Sequence, residues 1–207
     1  MPKGSPELTN ARKEEIINAC KMLYKDMSFK DITIMKIADA TSFSRASIYN
    51  YFETKEEIFL AILQQEYELW VAKLKTITDS NDHMTKDEIA KALAGSLEER
   101  KLLLKLMSMN HYDMEENSRE ERLYEFKVAY GSSLKAVDNL LQKFCHDMDE
   151  TARREFLYSF FPFIYGIYPY TVVTKKQKNA MEKAGVGYTY YSIEELAYTC
   201  AKKLLGY

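Results

Sequence analysis

Apolar residues along this 207-residue chain recur every three or four positions in one segment after another, and no alternating run is long enough for a strand. The firmest series is Leu123, Phe126, Tyr130, Leu134, Val137, Leu141 and Phe144, which predicts a long amphipathic helix. Ile16, Ile17, Cys20, Leu23 and Tyr24 predict a first helix starting at Thr9 or Asn10. Ile58, Ile62, Leu63, Tyr67, Trp70 and Leu74 predict another, opened by a capping box of Thr54 and Glu57. A helix from Lys86 to about Asn110 is expected to break at Gly95 and Ser96, and Asp113 to Arg122 reads as a polar loop running into a helix start. Ile193, Leu196, Ala197, Cys200 and Leu204 stripe a final helix, residues 78–84 make the best linker, and 175–191 reads as a loop with a short helix at most. The fold class is all-α.

Residues 33–52 read as two short helices joined by a tight turn. Thr33 and Ser44 each stand where a hydroxyl caps a first helical turn. Ile34, Ile37 and Ala38 give the first helix an apolar side, and Ile48 and Phe52, four apart, turn the second inward. Opposite them lie Ala46, Ser47 and Asn50, flanked by Tyr49 and Tyr51, with Arg45 in the first turn. A short helix presenting hydroxyls, an amide and a guanidinium suits the major groove of DNA.

The order Ile37, Ala38, Phe43, Ser44, Ile48, Tyr49, Tyr51, Phe52, then Lys55, Glu56 and Glu57 resembles the helix-turn-helix signature of the TetR family of bacterial transcriptional regulators, over about residues 9–74. The family's usual turn glycine is Ser42 here, and the glycine that often ends the preceding helix is Ser28. The resemblance implies an N-terminal three-helix head, residues 1–55, that binds double-stranded DNA, and a C-terminal helical domain, 56–207, for ligand binding and dimerisation. It implies base reading by Arg45, Ser47 and Asn50, on one face with Ser44 and Ala46, and phosphate contacts from Thr33, Lys36, Tyr49, Tyr51 and Lys55. It further implies a homodimer through residues 151–172 and 192–205. The expected function is a repressor released from a palindromic operator by a small hydrophobic or aromatic effector.

From Phe156 to Thr174 the chain carries no charge, and fifteen residues from Phe156 to Tyr170 include eight aromatics. The run reaches membrane-span length, but tyrosines distributed throughout, with Pro162, Gly166 and Pro169, make a poor lipid-facing surface. A buried helix kinked at Pro162 is expected instead. Its aromatics are either ordinary core or the wall of a ligand cavity formed by Phe126, Tyr130, Tyr158, Phe161, Tyr165 and Tyr168.

Composition adds a constraint against easy DNA binding. The net charge is -2, and Met1 to Leu60 holds nine Lys or Arg against nine Asp or Glu, so any basic footprint must be local. Three scattered cysteines, Cys20, Cys145 and Cys200, suit reduced thiols in a cytoplasmic protein, and Met1 to Glu7 has no apolar core of a signal peptide. No nucleophile motif, phosphate loop or metal-ligand spacing is present, so no catalytic residue, metal or cofactor is expected. Cys145 beside His146 reads as a buried thiol next to a surface histidine, and His111 with Asp113, Glu115 and Glu116 as a solvated acidic helix start. Two other readings stay open: a DNA-binding scaffold of the same fold, and a helical carrier or enzyme without DNA binding.

Overall fold

The computed structural model of the chain describes residues 5–109 and 111–207. Met1 to Gly4, Asn110 and the side chain of His111 lie outside the described residues, and with them part of the N-terminal stretch read for a signal peptide, the expected end of the helix from Lys86, and the histidine beside Asp113. Among the described residues the chain forms helices and no strand: α1 (Pro6–Asp26), α2 (Ile34–Asp39), α3 (Arg45–Ile48), α4 (Lys55–Asp79), α5 (Lys86–Glu98), α6 (Lys101–Met107), α7 (His111–Glu116), α8 (Glu120–Phe144), α9 (Glu150–Thr171), α10 (Lys175–Lys183) and α11 (Ile193–Leu204). They form two compact units, Met1–Gln65 with Asn110–Ala129, and Glu66–Met109 with Tyr130–Tyr207. The sequence division at residues 55 and 56 differs from this one, which cuts through α4 and α8 and assigns residues 110–129 to the first unit.

Helix ends follow local chemistry more often than composition suggests. α1 begins at Pro6 rather than Thr9 or Asn10, because Ser5 accepts from the Leu8 amide and Pro6, lacking an N–H, fits the first turn. Capping boxes start α5 (Thr85 with Glu88), α10 (Thr174 with Gln177) and α11 (Ser192 with Glu195). The break expected at Gly95 and Ser96 falls instead at Glu99 and Arg100, between α5 and α6. Ser96 stays helical because its buried hydroxyl donates to the Leu93 carbonyl at 2.7 Å and accepts from the Trp70 indole N–H at 2.9 Å. Of the stretch from Asp113 to Arg122, expected as a polar loop running into a helix start, the part to Glu116 is helical in α7, residues 117–119 are not helical, and α8 starts at Glu120. α9 continues through Pro162 and Pro169, both exposed, to Thr171.

The first unit packs Ile16, Cys20 and Tyr24 of α1 with Ile37, Ile48, Phe52, Ile58 and Phe59, all buried. The Tyr24 and Phe29 rings meet Phe59 edge-on, at 5.1 and 4.7 Å between centroids. Inside this apolar unit sits Glu57, wholly buried. Arg119 donates to its carboxylate from Nε at 2.6 Å, from Nη2 at 2.7 Å and from its own amide at 3.1 Å, and Nη2 also reaches the Tyr51 carbonyl at 3.3 Å. The remaining capacity of Glu57 accepts the Glu53 amide at 2.8 Å. The expected capping box is therefore half formed: Thr54 accepts the Glu57 amide at 3.2 Å, but Glu57 returns to Glu53 and Arg119 rather than to Thr54.

In the second unit α11 packs on α5 and α9, and α6 packs on α9. Ile193, Ala197 and Ala201 of α11 and its C-cap Leu205 are buried, while Leu196, Cys200 and Leu204 stand half-buried beside them. Lys143 closes the C-terminus of α4, donating to the carbonyls of Thr78 at 2.7 Å and Asn81 at 2.8 Å. Among the described residues no single helix is long and apolar enough to cross a membrane; α9 and α10 pass such a test only as a pair bent by 84°. Burial pushes the Cys20 thiol up to about 12 and the Cys200 thiol to about 11, so neither is a ready thiolate.

Burial alone would raise the pKa of Glu57, but the Arg119 and backbone hydrogen bonds outweigh it and hold the carboxyl below its ordinary value. A carboxyl with a depressed folded pKa contributes stability above the unfolded value, about 4.3, and loses it as pH falls through the folded value. Glu57→Gln should therefore lower unfolding stability at pH 7 by about 3 kcal/mol, at the low end for a broken buried pair because Arg119 keeps access to water. In urea titrations the gap from wild type should narrow below about pH 4.

Candidate nucleic-acid interface and ligand site

The turn between α2 and α3 is closed by side chains. The Thr41 hydroxyl donates to the Ala38 carbonyl at 3.0 Å and accepts the Phe43 amide at 3.2 Å, while the Ser42 amide donates to Glu15 of α1 at 2.7 Å. That backbone bond is the leading reason the Glu15 carboxyl sits below its usual range. No described non-glycine residue has a positive φ, so Ser42 and Ser28 take the places of glycines without backbone strain. Thr33 caps α2 by accepting the Lys36 amide at 3.3 Å, and Ser44 caps α3 by accepting the Ser47 amide at 3.2 Å.

Past these caps, Ser44, Arg45, Ala46, Tyr49 and Asn50 are exposed, and Ser47 is half-buried with its hydroxyl 2.9 Å from that of Ser44. Ile48 and Phe52 are buried and turn the opposite side of the element into the unit. Arg45 lies along Tyr49, its Nη2 donating to the phenol oxygen at 3.1 Å and its guanidinium carbon 5.7 Å from the ring centre. The Asn50 carboxamide makes no hydrogen bond among the described residues. Thr33 and Lys36 are exposed, with the Lys36 ammonium on the Asp31 carbonyl at 2.8 Å.

Two expected phosphate contacts are placed otherwise. Tyr51 is 4% exposed and its hydroxyl accepts from Arg12 at 3.1 Å, because its ring completes the core beside Phe43. Lys55 donates to the carbonyls of Phe29 at 2.9 Å and Ile32 at 3.2 Å and stands 4.2 Å over the Phe29 ring, so its charge secures the loop before α2. Cations gather elsewhere on the unit. Lys13 is held below its ordinary pKa by burial and then by the nearby Arg122 and Arg119, and Arg122 lies 5.5 Å over Phe52. Lys13, Arg119 and Arg122 stand near one another in the first unit, with Arg119 paired to Glu57 and Glu53 and Arg122 to Glu125, so carboxylates beside them offset much of their charge. Their clustering needs residues 119–122, which a count over the first 60 residues leaves out.

The proposed cavity residues separate. Tyr130 and Phe161 meet edge-on at 5.9 Å, and Tyr67, absent from the expected set, meets Tyr130 at 5.8 Å. The Tyr67 and Tyr165 hydroxyls are 3.2 Å apart, and Trp70 lies 5.8 Å from Phe161. Burial, and after it Tyr165, pushes the Tyr67 phenol well above its usual range, so it is a neutral hydroxyl. Tyr168 is half-buried, whereas Tyr158 is 74% exposed and forms no wall, a correction caused by its place on the outer side of α9. Phe126 is buried in the first unit, not the second. A separate groove of about 350 Å³ in the second unit runs between Val71, Lys75 and Thr78 of α4 and Ser132, Lys135 and Asn139 of α8. Among the described residues no group of His, Cys, Asp or Glu is placed to hold a metal ion.

Residues 16–62 match the profile of the bacterial regulatory proteins of the tetR family, and residues 64–200 that of the tetracyclin repressor-like C-terminal domain. The chain is 32% identical over 73 residues to an uncharacterized HTH-type transcriptional regulator, YfiR of Bacillus subtilis, covering 35% of this chain and 36% of that one. It is 27% identical over 70 residues to the HTH-type transcriptional regulator RutR of Escherichia coli, covering 34% and 33%. The match spans about a third of the length of these relatives. Among solved structures, the fatty acid degradation regulator FadR of Bacillus halodurans shares the fold at TM-score 0.59 and 19% identity, over 93% of this chain and 97% of that one. FadR of Bacillus subtilis, in complex with stearoyl-CoA, does so at TM-score 0.60 and 14% identity, again over 93% and 97%.

Besides the burial of Ile48, the four-residue helix α3 is held at its start by the Ser44 cap. Ser44→Ala should cost about 1 kcal/mol in thermal or urea unfolding, whereas Ser44→Asn, which restores an acceptor, should cost much less.

Proposed function

Because the chain belongs to the tetR family of bacterial regulatory proteins, whose members are transcriptional regulators rather than enzymes, we propose that it is a ligand-responsive repressor acting as a homodimer on a palindromic operator. The observation carrying this reading is the face formed by α3 and the turn after it, where Arg45, Ala46 and Asn50 are exposed while Ile48 and Phe52 are buried on the other side. Arg45 reads guanine and Asn50 adenine, with Ser47 beside them, after Arg45 leaves Tyr49. Thr33, Lys36, Ser44 and Tyr49 hold phosphates and position the reader without specifying sequence. Two copies place their α3 helices one helical turn of DNA apart, about 34–36 Å.

The dimer surface is proposed on α9 and α11, residues 151–172 and 192–205. Tyr158, Pro162, Gly166, Pro169 and Tyr170 leave an uncharged exposed stripe along α9, and Leu196, Cys200 and Leu204 supply half-buried positions on α11. The effector site is proposed at the aromatic cluster of Tyr67, Trp70, Tyr130, Phe161 and Tyr165 in the second unit. To lower operator affinity a hundredfold, the effector must favour the conformation that releases DNA by about 2.7 kcal/mol.

Selection of bound fragments from a random DNA pool, followed by salt titration of the winning site, tests the reading. An inverted repeat bound far above random sequence supports it; enrichment of nothing overturns it. On the selected site Arg45→Ala should cost about 1–3 kcal/mol and leave binding to random DNA nearly unchanged. Equal losses on both would make Arg45 a phosphate contact instead.

A further inference from the structure

We infer that the effector carries a planar oxyanion, such as a carboxylate, and that Arg100 receives it; the inference rests on the ligand-binding reading of the second unit given above. Arg100 is where the backbone leaves helix between α5 and α6, with φ -116° and ψ 45°. Its Nε is buried and has no hydrogen-bond partner, and it is the one buried side-chain nitrogen or oxygen among the described residues left in that state. Among the described residues the guanidinium faces Glu66, whose Oε2 stands 3.8 Å from Nη1, beyond hydrogen-bond reach.

A buried donor without an acceptor is costly, and native structures seldom keep one without a use. The free Nε belongs to the Nε–Nη2 edge of the guanidinium, the fork that receives a carboxylate through two parallel bonds. Glu66 faces Nη1, on the other side, and so offsets the charge of Arg100 without occupying the Nε–Nη2 fork.

Position joins Arg100 to the aromatic cluster. Glu66 is 6% exposed and precedes Tyr67 and Trp70 on the buried stripe of α4, and α6, which begins at Lys101, packs on α9. Tyr165 and Tyr168 of α9 are half-buried, and the charge of Lys101 acts on the Tyr168 phenol. A ligand whose apolar body lies against these rings would bring an oxyanion to the guanidinium. The Tyr67 and Tyr165 hydroxyls, 3.2 Å apart, add hydrogen-bonding groups beside the rings.

The probes are 2-naphthoate and its neutral isostere 2-naphthamide, titrated into the full chain by calorimetry. Trp70, the only tryptophan, reports by its emission whether the bound ring lies beside it. Wild type should bind the acid at least about tenfold more tightly than the amide, the factor a charge-assisted pair supplies. Arg100→Gln should remove that advantage, leave amide binding unchanged, and keep helicity and melting midpoint close to wild type. Equal binding of acid and amide, or an advantage that survives Arg100→Gln, overturns the anion assignment and leaves the ligand site standing. Binding of neither probe to wild type overturns both. If Arg100→Gln does not fold, Arg100→Lys, which keeps the charge without the fork, should cut the acid's advantage; an undiminished advantage counts against the assignment.

Discussion

The first unit depends on a carboxylate that has been taken out of water. Glu57 has no exposed surface, and an ionised group in such a place is tolerated only when its oxygens are filled. Arg119 supplies three bonds and the Glu53 amide a fourth, so the start of α4, the turn before it and the residues leading into α8 are held by one charge. Because Arg119 also reaches the Tyr51 carbonyl, this arrangement extends to the end of the helix-turn-helix. Hydrophobic contacts can slide by small amounts at little cost, whereas a bidentate pair fixes distance and angle together. Residues 119 and 57 are thus held in register across 62 positions of sequence.

That pair also marks how far the sequence could be read. Thr33 and Ser44 were legible as caps because a cap is a local event, decided by one hydroxyl and an amide three residues away. The series from Leu123 to Phe144 was legible because its apolar and polar positions contrast at a fixed period. Arg119 lies in an acidic, polar stretch where a buried partner and a solvated charge look the same, and Glu57 fits a capping box too well to suggest another role. The break between α5 and α6 has no glycine or proline; Glu98, Glu99, Arg100 and Lys101 are all compatible with helix, and packing overrides their propensity.

The aromatic segment failed to disclose its faces for the opposite reason. With nearly every position from Phe156 to Tyr170 apolar or aromatic, periodic contrast vanishes, and Tyr158 could not be told from Phe161 although one is 74% exposed and the other 2%. Trp70 and Ser96 likewise gave no sign of their bond, since a serine inside a helix is as often turned to solvent. Around α3, residue types suggested which positions are exposed, but Tyr51 and Lys55 were drawn into the fold by partners distant in sequence.

α10 stands apart from all of this. It has no buried residue, and its nine residues fall short of the roughly 12–15 that let an isolated helix persist in water. A capping box at Thr174 and the bond from Tyr188 to the Tyr170 carbonyl, 2.7 Å, tie down its surroundings. Opening this stretch exposes almost no apolar surface, so the free energy that resists it is small beside that of the helices around it. The connection between α9 and α11 is therefore a place where the chain can lengthen, shorten or be cut while both cores keep their packing.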